Sequence, residues 1–223
     1  MSYILNIETA TKNCSVSLAK DGVTILCKEI AEEGYSHAER LHVFIEEIFK
    51  ESGCNLKDLS AVAVSQGPGS YTGLRIGVSA AKGLCFALDI PLIAIDTLET
   101  LASQVKINEG LIIPMIDARR MEVYSAIFDS KLEKKREVQA QIIDENSFNE
   151  LQDDLYFVGD CAVKCKNVLN KSNHFFLETL IFPSANEMSF LSFEKFKIND
   201  IVDVAYFEPY YLKDFMVTTP KKK

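Results

Sequence analysis

The chain has 223 residues, 48% hydrophobic and 25% charged, which suits one large or two smaller cored units and excludes extended disorder. Its formal net charge of -8 excludes a protein that grips a nucleic-acid backbone alone, because that task needs a concentrated basic face. No apolar run approaches the roughly 20 residues that cross a bilayer. The first residues also lack the basic and apolar segments of a signal peptide, so a cytoplasmic protein with no membrane role is expected.

Residues 3–7 read as a first strand. Residues 14–19 alternate, with Val16 and Leu18 on one face and Ser15 and Ser17 on the other. Asp21-Gly22 tolerates the positive φ of a two-residue hairpin turn, so 23–30 returns as a third strand. Ser36 with Glu39 makes a capping box. Behind it Leu41, Phe44, Ile45, Ile48 and Phe49 recur at helical spacing, predicting an amphipathic helix over 37–51. A strand at 59–65, a glycine-rich turn, a helix to about residue 88 and a buried strand at 91–95 follow.

From Leu111 the order repeats. Strands are expected at 111–117, 122–129, 137–143 and 155–158, helices at 145–153, 161–169 and 186–196, and an extended stretch at 175–182. The repeat lies in element order alone, without residue identity between the halves. Three antiparallel strands followed by alternating helices and strands, twice over, predict an α/β fold of two ribonuclease-H-like lobes with mixed sheets. This is the actin and sugar-kinase (ASKHA) architecture, here with a reduced second lobe. The boundary is placed in 103–109, dividing the chain into 1–104 and 105–223. The six cysteines form no CxxC pair and lie in apolar segments, as suits reduced, mostly buried thiols.

The run from Gln66 to Gly83 carries the most information. It follows an apolar strand and opens a helix, where backbone N–H groups can hold an anion. It is not a Walker A loop, however, and Gly67, Gly69 and Gly73 give GxGxxxG rather than the dinucleotide fingerprint. Within the helix, Gly73, Gly77, Ala80, Ala81 and Gly83 are small residues mostly three or four apart. Each interior glycine costs on the order of 1 kcal/mol against alanine, so another backbone must come close. Spacing leaves open whether that backbone belongs to the same lobe or to a second chain. Glu8, Thr9 and Thr11 stand after the first strand, where actin-like folds place a phosphate-facing acid and hydroxyls. With Gly67, Gly69 and Arg119 they are the candidate nucleotide or phosphate contacts.

The histidines offer no catalytic set. His37 and His42 are five apart, about 140° around a helix, which excludes a two-histidine metal pair, and His174 is isolated. Nor does any cysteine have a histidine beside it in sequence.

Five segments in order resemble the TsaB (YeaZ) family: Ile7-Glu8-Thr9-Ala10-Thr11, His37-Ala38-Glu39-Arg40-Leu41, the GPGSYTGLRIGVSAAKG run from Gly67 to Gly83, Asp117-Ala118-Arg119-Arg120 with Glu122-Val123-Tyr124, and Pro209-Tyr210-Tyr211-Leu212. They span nearly the whole chain. Glu8 stands where many members have aspartate, and Tyr71 where many have phenylalanine.

The resemblance implies a dimerisation subunit in making N6-threonylcarbamoyladenosine at position 37 of transfer RNAs that read codons beginning with A. Its partners would be the catalytic paralogue TsaD and the ATPase TsaE, with transfer RNA met only through the complex. Where the paralogue carries two metal-binding histidines, this chain has Thr97 and Leu101, so a non-catalytic role without a required cofactor is expected. Helices 37–51 and 72–88 would form a four-helix interface through His37, Arg40, Leu41, Phe44, Ile45, Ile48, Tyr71, Thr72, Leu74, Arg75, Gly77, Val78 and Ala81. ATP or ADP could sit at that junction, and the same face would pair two copies of the isolated chain. An independent actin-like ATPase or sugar-kinase-type phosphotransferase is the alternative.

Overall fold

The computed structural model describes residues 1–31, 37–118 and 121–212. β1 (Tyr3–Glu8), β2 (Cys14–Lys20) and β3 (Val23–Ile30) form an antiparallel meander, extended on its other side by β4 (Leu59–Gly67) and β5 (Leu92–Asp96) parallel to β1. The β2–β3 turn has φ of 49° at Asp21 and 84° at Gly22, the double positive φ expected of that pair. The expected capping residue Ser36 lies outside the described residues.

Period-2 alternation in the strands gives this sheet two different faces. Val62 and Val64 of β4, with Leu5 and Ile7 of β1, meet α1 (His37–Ser52) and α2 (Tyr71–Leu88). Ala61, Ala63 and Ile4 point the other way and meet Ala185, Met188 and Leu191 of α5 (Ala185–Lys197). Beside this apolar contact runs a hydrogen-bonded seam. Asn6 Nδ2 donates to Ser17 Oγ at 3.0 Å and to Ser189 Oγ at 3.3 Å, and Ala185 N donates to Ser15 Oγ at 2.8 Å.

The second sheet repeats the first. β6 (Leu111–Asp117), β7 (Glu122–Asp129) and β8 (Lys134–Ile142) make its meander, with β9 (Leu155–Val158) and β10 (His174–Phe176) parallel to β6. The two orders, β3-β2-β1-β4-β5 and β8-β7-β6-β9-β10, correspond strand for strand. Its connections are reduced, as expected. The helix predicted over 145–153 is a series of turns, because Asp144 and Ser147 bond local backbone and Phe148 takes φ 65°. The one predicted over 161–169 shrinks to α4 (Ala162–Cys165).

Between the sheets lies α3 (Thr97–Ala102), a helix the sequence reading did not separate from its surroundings. Asp96 caps it by accepting from Leu98 N at 2.8 Å, and ion-pairs with Lys134 of β8 at 2.9 Å. Leu98 and Leu101 enter the second lobe's core with Ile112, Phe128 and Val158.

The division at residue 104 holds only for the first crossing. Past Ser184 the chain returns to the first lobe: α5 packs on that sheet, and Val202 N donates to Leu92 O at 2.9 Å. The first lobe is therefore discontinuous, and assigning 105–223 wholly to the second is corrected. The reason is that Ile4, Ala61 and Ala63 belong to an apolar sheet face whose cover, among the described residues of that cluster, comes from Ala185, Met188 and Leu191. All six cysteines are free thiols. Cys14, Cys85, Cys161 and Cys165 are buried, and burial pushes Cys14 and Cys85 up to about 11. No helix among the described residues is long and apolar enough to cross a membrane.

Candidate functional site

An amphipathic helix on a sheet buries its most apolar stripe against that sheet. Here this decides which residues face outward. Leu41, Phe44 and Ile48 of α1 and Val78 and Ala81 of α2 are buried in the first lobe's core, and Leu74 is buried beside Gly67. Gly77 is buried as well, and a Cβ there would overlap the Thr9 hydroxyl. These seven expected interface residues are thus packing residues of their own lobe. His37 is tied to the loop after β1, its Nε2 lying 2.8 Å from Thr11 O, and Arg40 lies over the Phe44 ring.

The outward flank of the same two helices forms an open groove of about 810 Å³. Four expected residues line it: Ile45, which is also buried in that core, and Tyr71, Thr72 and Arg75. The rest of the lining comes from Ala38 and His42 of α1 and from Ile76, Ser79, Ala80, Gly83 and Leu84 of α2. The expected interface set lacks these. Their signal on α2 is a second stripe: Ser79, Ala80 and Leu84 stand one residue, about 100°, from the core positions Val78, Ala81 and Cys85, and Ile76 and Gly83 stand two residues, about 160°, from the nearest of them. Its apolar members are weaker than those of the first, so period alone assigns them to solvent.

The glycines of α2 divide along the same line. A Cβ at Gly73 would overlap the Thr9 carbonyl, so both Gly73 and Gly77 exist to let the β1–β2 loop cross the helix. A Cβ at Gly83 would meet none of the described residues within 4 Å apart from the adjoining backbone of its own helix. It carries the helix-propensity cost of an interior glycine, is exposed, and lies in the groove wall.

Thr9 and the glycine-rich loop among the candidate phosphate residues come together, but with bonding groups already used. Thr9 Oγ1 donates to Gly73 O at 2.9 Å, and Ser70 N donates to Ala10 O at 2.6 Å. Ser70 Oγ accepts from Gly73 N, capping α2. Carbonyls of Thr9 and Ala10 therefore face the first turn of α2, where an anion would have to lie. Gly67 and Gly69 lie close under the backbone carbonyls of Tyr210 and Ala10, and Thr11 is buried. Arg119 is outside the described residues. Glu8 is fully buried. Its Oε1 accepts from Ala10 N and from Ser65 Oγ at 3.1 Å, while Oε2 has no partner among the described residues. Burial outweighs those bonds and pushes the carboxyl up to about 7.

At the two positions where the paralogue's histidines would stand, Thr97 and Leu101 are fully buried. A Cβ at Gly159 would meet Leu101 Cδ2 at 2.9 Å, so side chains of the second lobe's core fill that space. Among the described residues no group of three His, Cys, Asp or Glu is placed to hold a metal ion.

Last, the segment after α5 crosses the first lobe as a strap. Lys82 Nζ donates to the carbonyls of Ala205 and Phe207, both at 3.0 Å, and Tyr210 N donates to Gln66 O at 2.7 Å. Tyr211 then packs on Tyr71, centroids 5.0 Å apart and rings tilted by 40°, at the end of the groove.

Strand order, twofold repeat and intervening helices together define a two-lobed protein of the actin-like ATPase fold. A family model described as TsaD, tRNA N6-adenosine threonylcarbamoyltransferase, matches residues 29–219. The tRNA threonylcarbamoyladenosine biosynthesis protein TsaB of Escherichia coli is 31% identical over 222 residues, covering 95% of this chain and 94% of that protein. TsaB of Bacillus subtilis is 38% identical over 128 residues, covering 57% of this chain and 56% of that one. Among solved structures, YeaZ from Pseudomonas aeruginosa superposes with a TM-score of 0.83 at 25% identity, covering 95% of this chain and all of that one. The chain belongs to the TsaB (YeaZ) family. It is also 37% identical over 108 residues to the tRNA N6-adenosine threonylcarbamoyltransferase of Bacillus subtilis, spanning about a third of that protein's length.

Proposed function

We propose that this chain is a non-catalytic docking subunit for forming N6-threonylcarbamoyladenosine at position 37 of transfer RNAs that read codons beginning with A. The observation that carries the reading is the groove between α1 and α2, an apolar surface with an open glycine in its wall. Glycine at 83 has no packing reason among the described residues, so it suits a second helix laid against α2. The occupant is a chain with the same helices, and the sequence kinship with the transferase supplies one. That transferase is the catalytic partner, of the TsaD type. An ATPase of the TsaE type is the third component, and transfer RNA is met through the complex because a charge of -8 gives this chain little hold on it. Alone, the chain would pair with a second copy through the same groove, since a closed twofold contact uses one patch on both copies.

Two observations favour docking over independent catalysis. The space near Thr97 and Leu101 is filled by apolar core, and the first turn of α2 is capped by the chain's own groups. On this reading ATP or ADP belongs at the junction with the partner, and this chain requires no cofactor for its role.

The test is binding of the purified chain to the transferase homologue of its own organism, followed by size exclusion with light scattering. Gly83→Arg should abolish the complex and leave the isolated chain monomeric; an intact complex would overturn the assignment. Gly77→Arg is unsuited to the purpose, since it disrupts the lobe itself. Appreciable ATP hydrolysis or sugar phosphorylation by the chain alone would favour the phosphotransferase alternative.

A further inference from the structure

The groove is apolar along its length, yet one end carries a cation. Arg75 is exposed and lies 4.1 Å over the Tyr71 ring and 6.0 Å from that of Tyr211. Its Nε donates to Tyr211 Oη at 3.2 Å, which leaves the two terminal nitrogens of the guanidinium pointing elsewhere. No carboxylate among the described residues ion-pairs with it, and Glu208 acts on it only as a minor Coulombic neighbour. An arginine side chain carries considerable rotamer entropy, and a stacked, bonded guanidinium has already lost much of it.

Tyr211 is held in turn by the strap: Val202 to Leu92, Lys82 to two strap carbonyls, and Tyr210 to Gln66. These contacts run from the edge of β5 to the glycine-rich loop. Residues remote in sequence are thereby fixed to the mouth of a groove built entirely from the first hundred.

Resting on the docking reading above, we propose that the strap is part of the docking apparatus. Tyr211 is a positioning residue that holds Arg75 to receive a carboxylate of the docked chain. The partner is thus a same-fold helix pair, small-sided opposite Gly83 and acidic opposite Arg75. An immobilised guanidinium favours a planar carboxylate over a point contact and loses less freedom on binding than a free arginine would.

The experiment is a double-mutant cycle by calorimetric titration against the transferase homologue, with Tm and far-UV CD recorded for every variant. Arg75→Ala and Tyr211→Ala should each weaken binding about tenfold, the order of a charge-assisted contact. The double variant should bind no worse than Arg75→Ala, because Tyr211 acts through Arg75. Tyr211→Phe keeps the ring and loses the hydroxyl; it should fall between wild type and Tyr211→Ala, and it carries the test if Tyr211→Ala lowers the Tm. Wild-type binding by both Tyr211 variants, with Gly83→Arg inactive, would overturn the strap proposal and leave the docking reading standing. Losses that simply add in the double variant would overturn the positioning role. Wild-type binding by Gly83→Arg would overturn the docking reading beneath both.

Discussion

Alanine at two glycines of one helix should move stability in opposite directions. At Gly83 the added methyl meets none of the described residues within 4 Å beyond its own helix's backbone, so Gly83→Ala gains the full propensity difference, about 0.8–1 kcal/mol. For a chain of this length that raises the Tm by roughly 2–4 °C. Gly77→Ala has the same propensity gain, but its Cβ would overlap the Thr9 hydroxyl. Moving Thr9 breaks its 2.9 Å bond to Gly73 O, worth about 1 kcal/mol, and overpacking adds about 1–3 kcal/mol. The net is a loss of about 1–3 kcal/mol. The chain has no tryptophan, so urea unfolding is followed by far-UV CD on the isolated protein. If Gly77→Ala proves as stable as Gly83→Ala, the division between a glycine that serves its own lobe and one that serves a partner is wrong.

Glu8 gives a pH signature. Its folded-state value of about 7 lies above the ordinary 4.5, so the proton is held more tightly in the folded chain. The stability linked to that proton is fully present below 4.5 and is lost as pH rises to about 7, an effect of about 3 kcal/mol. Wild type should therefore lose ground to Glu8→Gln between pH 4 and 8, and parallel Tm profiles would refute this. Asp96→Ala removes the cap of α3 and the pairing with Lys134. It should cost about 1–2 kcal/mol through the cap alone, and more than Lys134→Met, which leaves the cap in place. Filter binding of the isolated chain to transfer RNA at physiological salt should show no retention, whereas the assembled complex should retain it.

Much of the first lobe was legible because its signals are local. Alternation in β2, the Asp-Gly turn, the stripe of α1 and the apolar run of β4 each fix an element within its own span. The TsaB resemblance was legible for the same reason, since its motifs are continuous runs. The second lobe was harder to read. Its short connections are turns stabilised by Asp144 and Ser147, side chains that compete with a helix whose apolar pattern is weak.

What the sequence settled was the identity of the helices and the small residues within α2. Which face of those helices is spent inward could not be read there, because the strongest stripe suits a sheet and a partner equally well. The tertiary structure decided it by placing β1 and β4 beneath Leu41, Ile48 and Val78, leaving Gly83 and the outer sides of the half-buried Ile76 and Ala80 to the groove. It also decided that residues beyond 184 return to the first lobe and bring Tyr211 to Arg75, 136 positions apart in the chain. No local pattern encodes such a meeting: α5 covers the sheet face left by Ile4, Ala61 and Ala63, and the strap beyond it packs Val202, Val204 and Phe207 on the α1–α2 side of the same lobe.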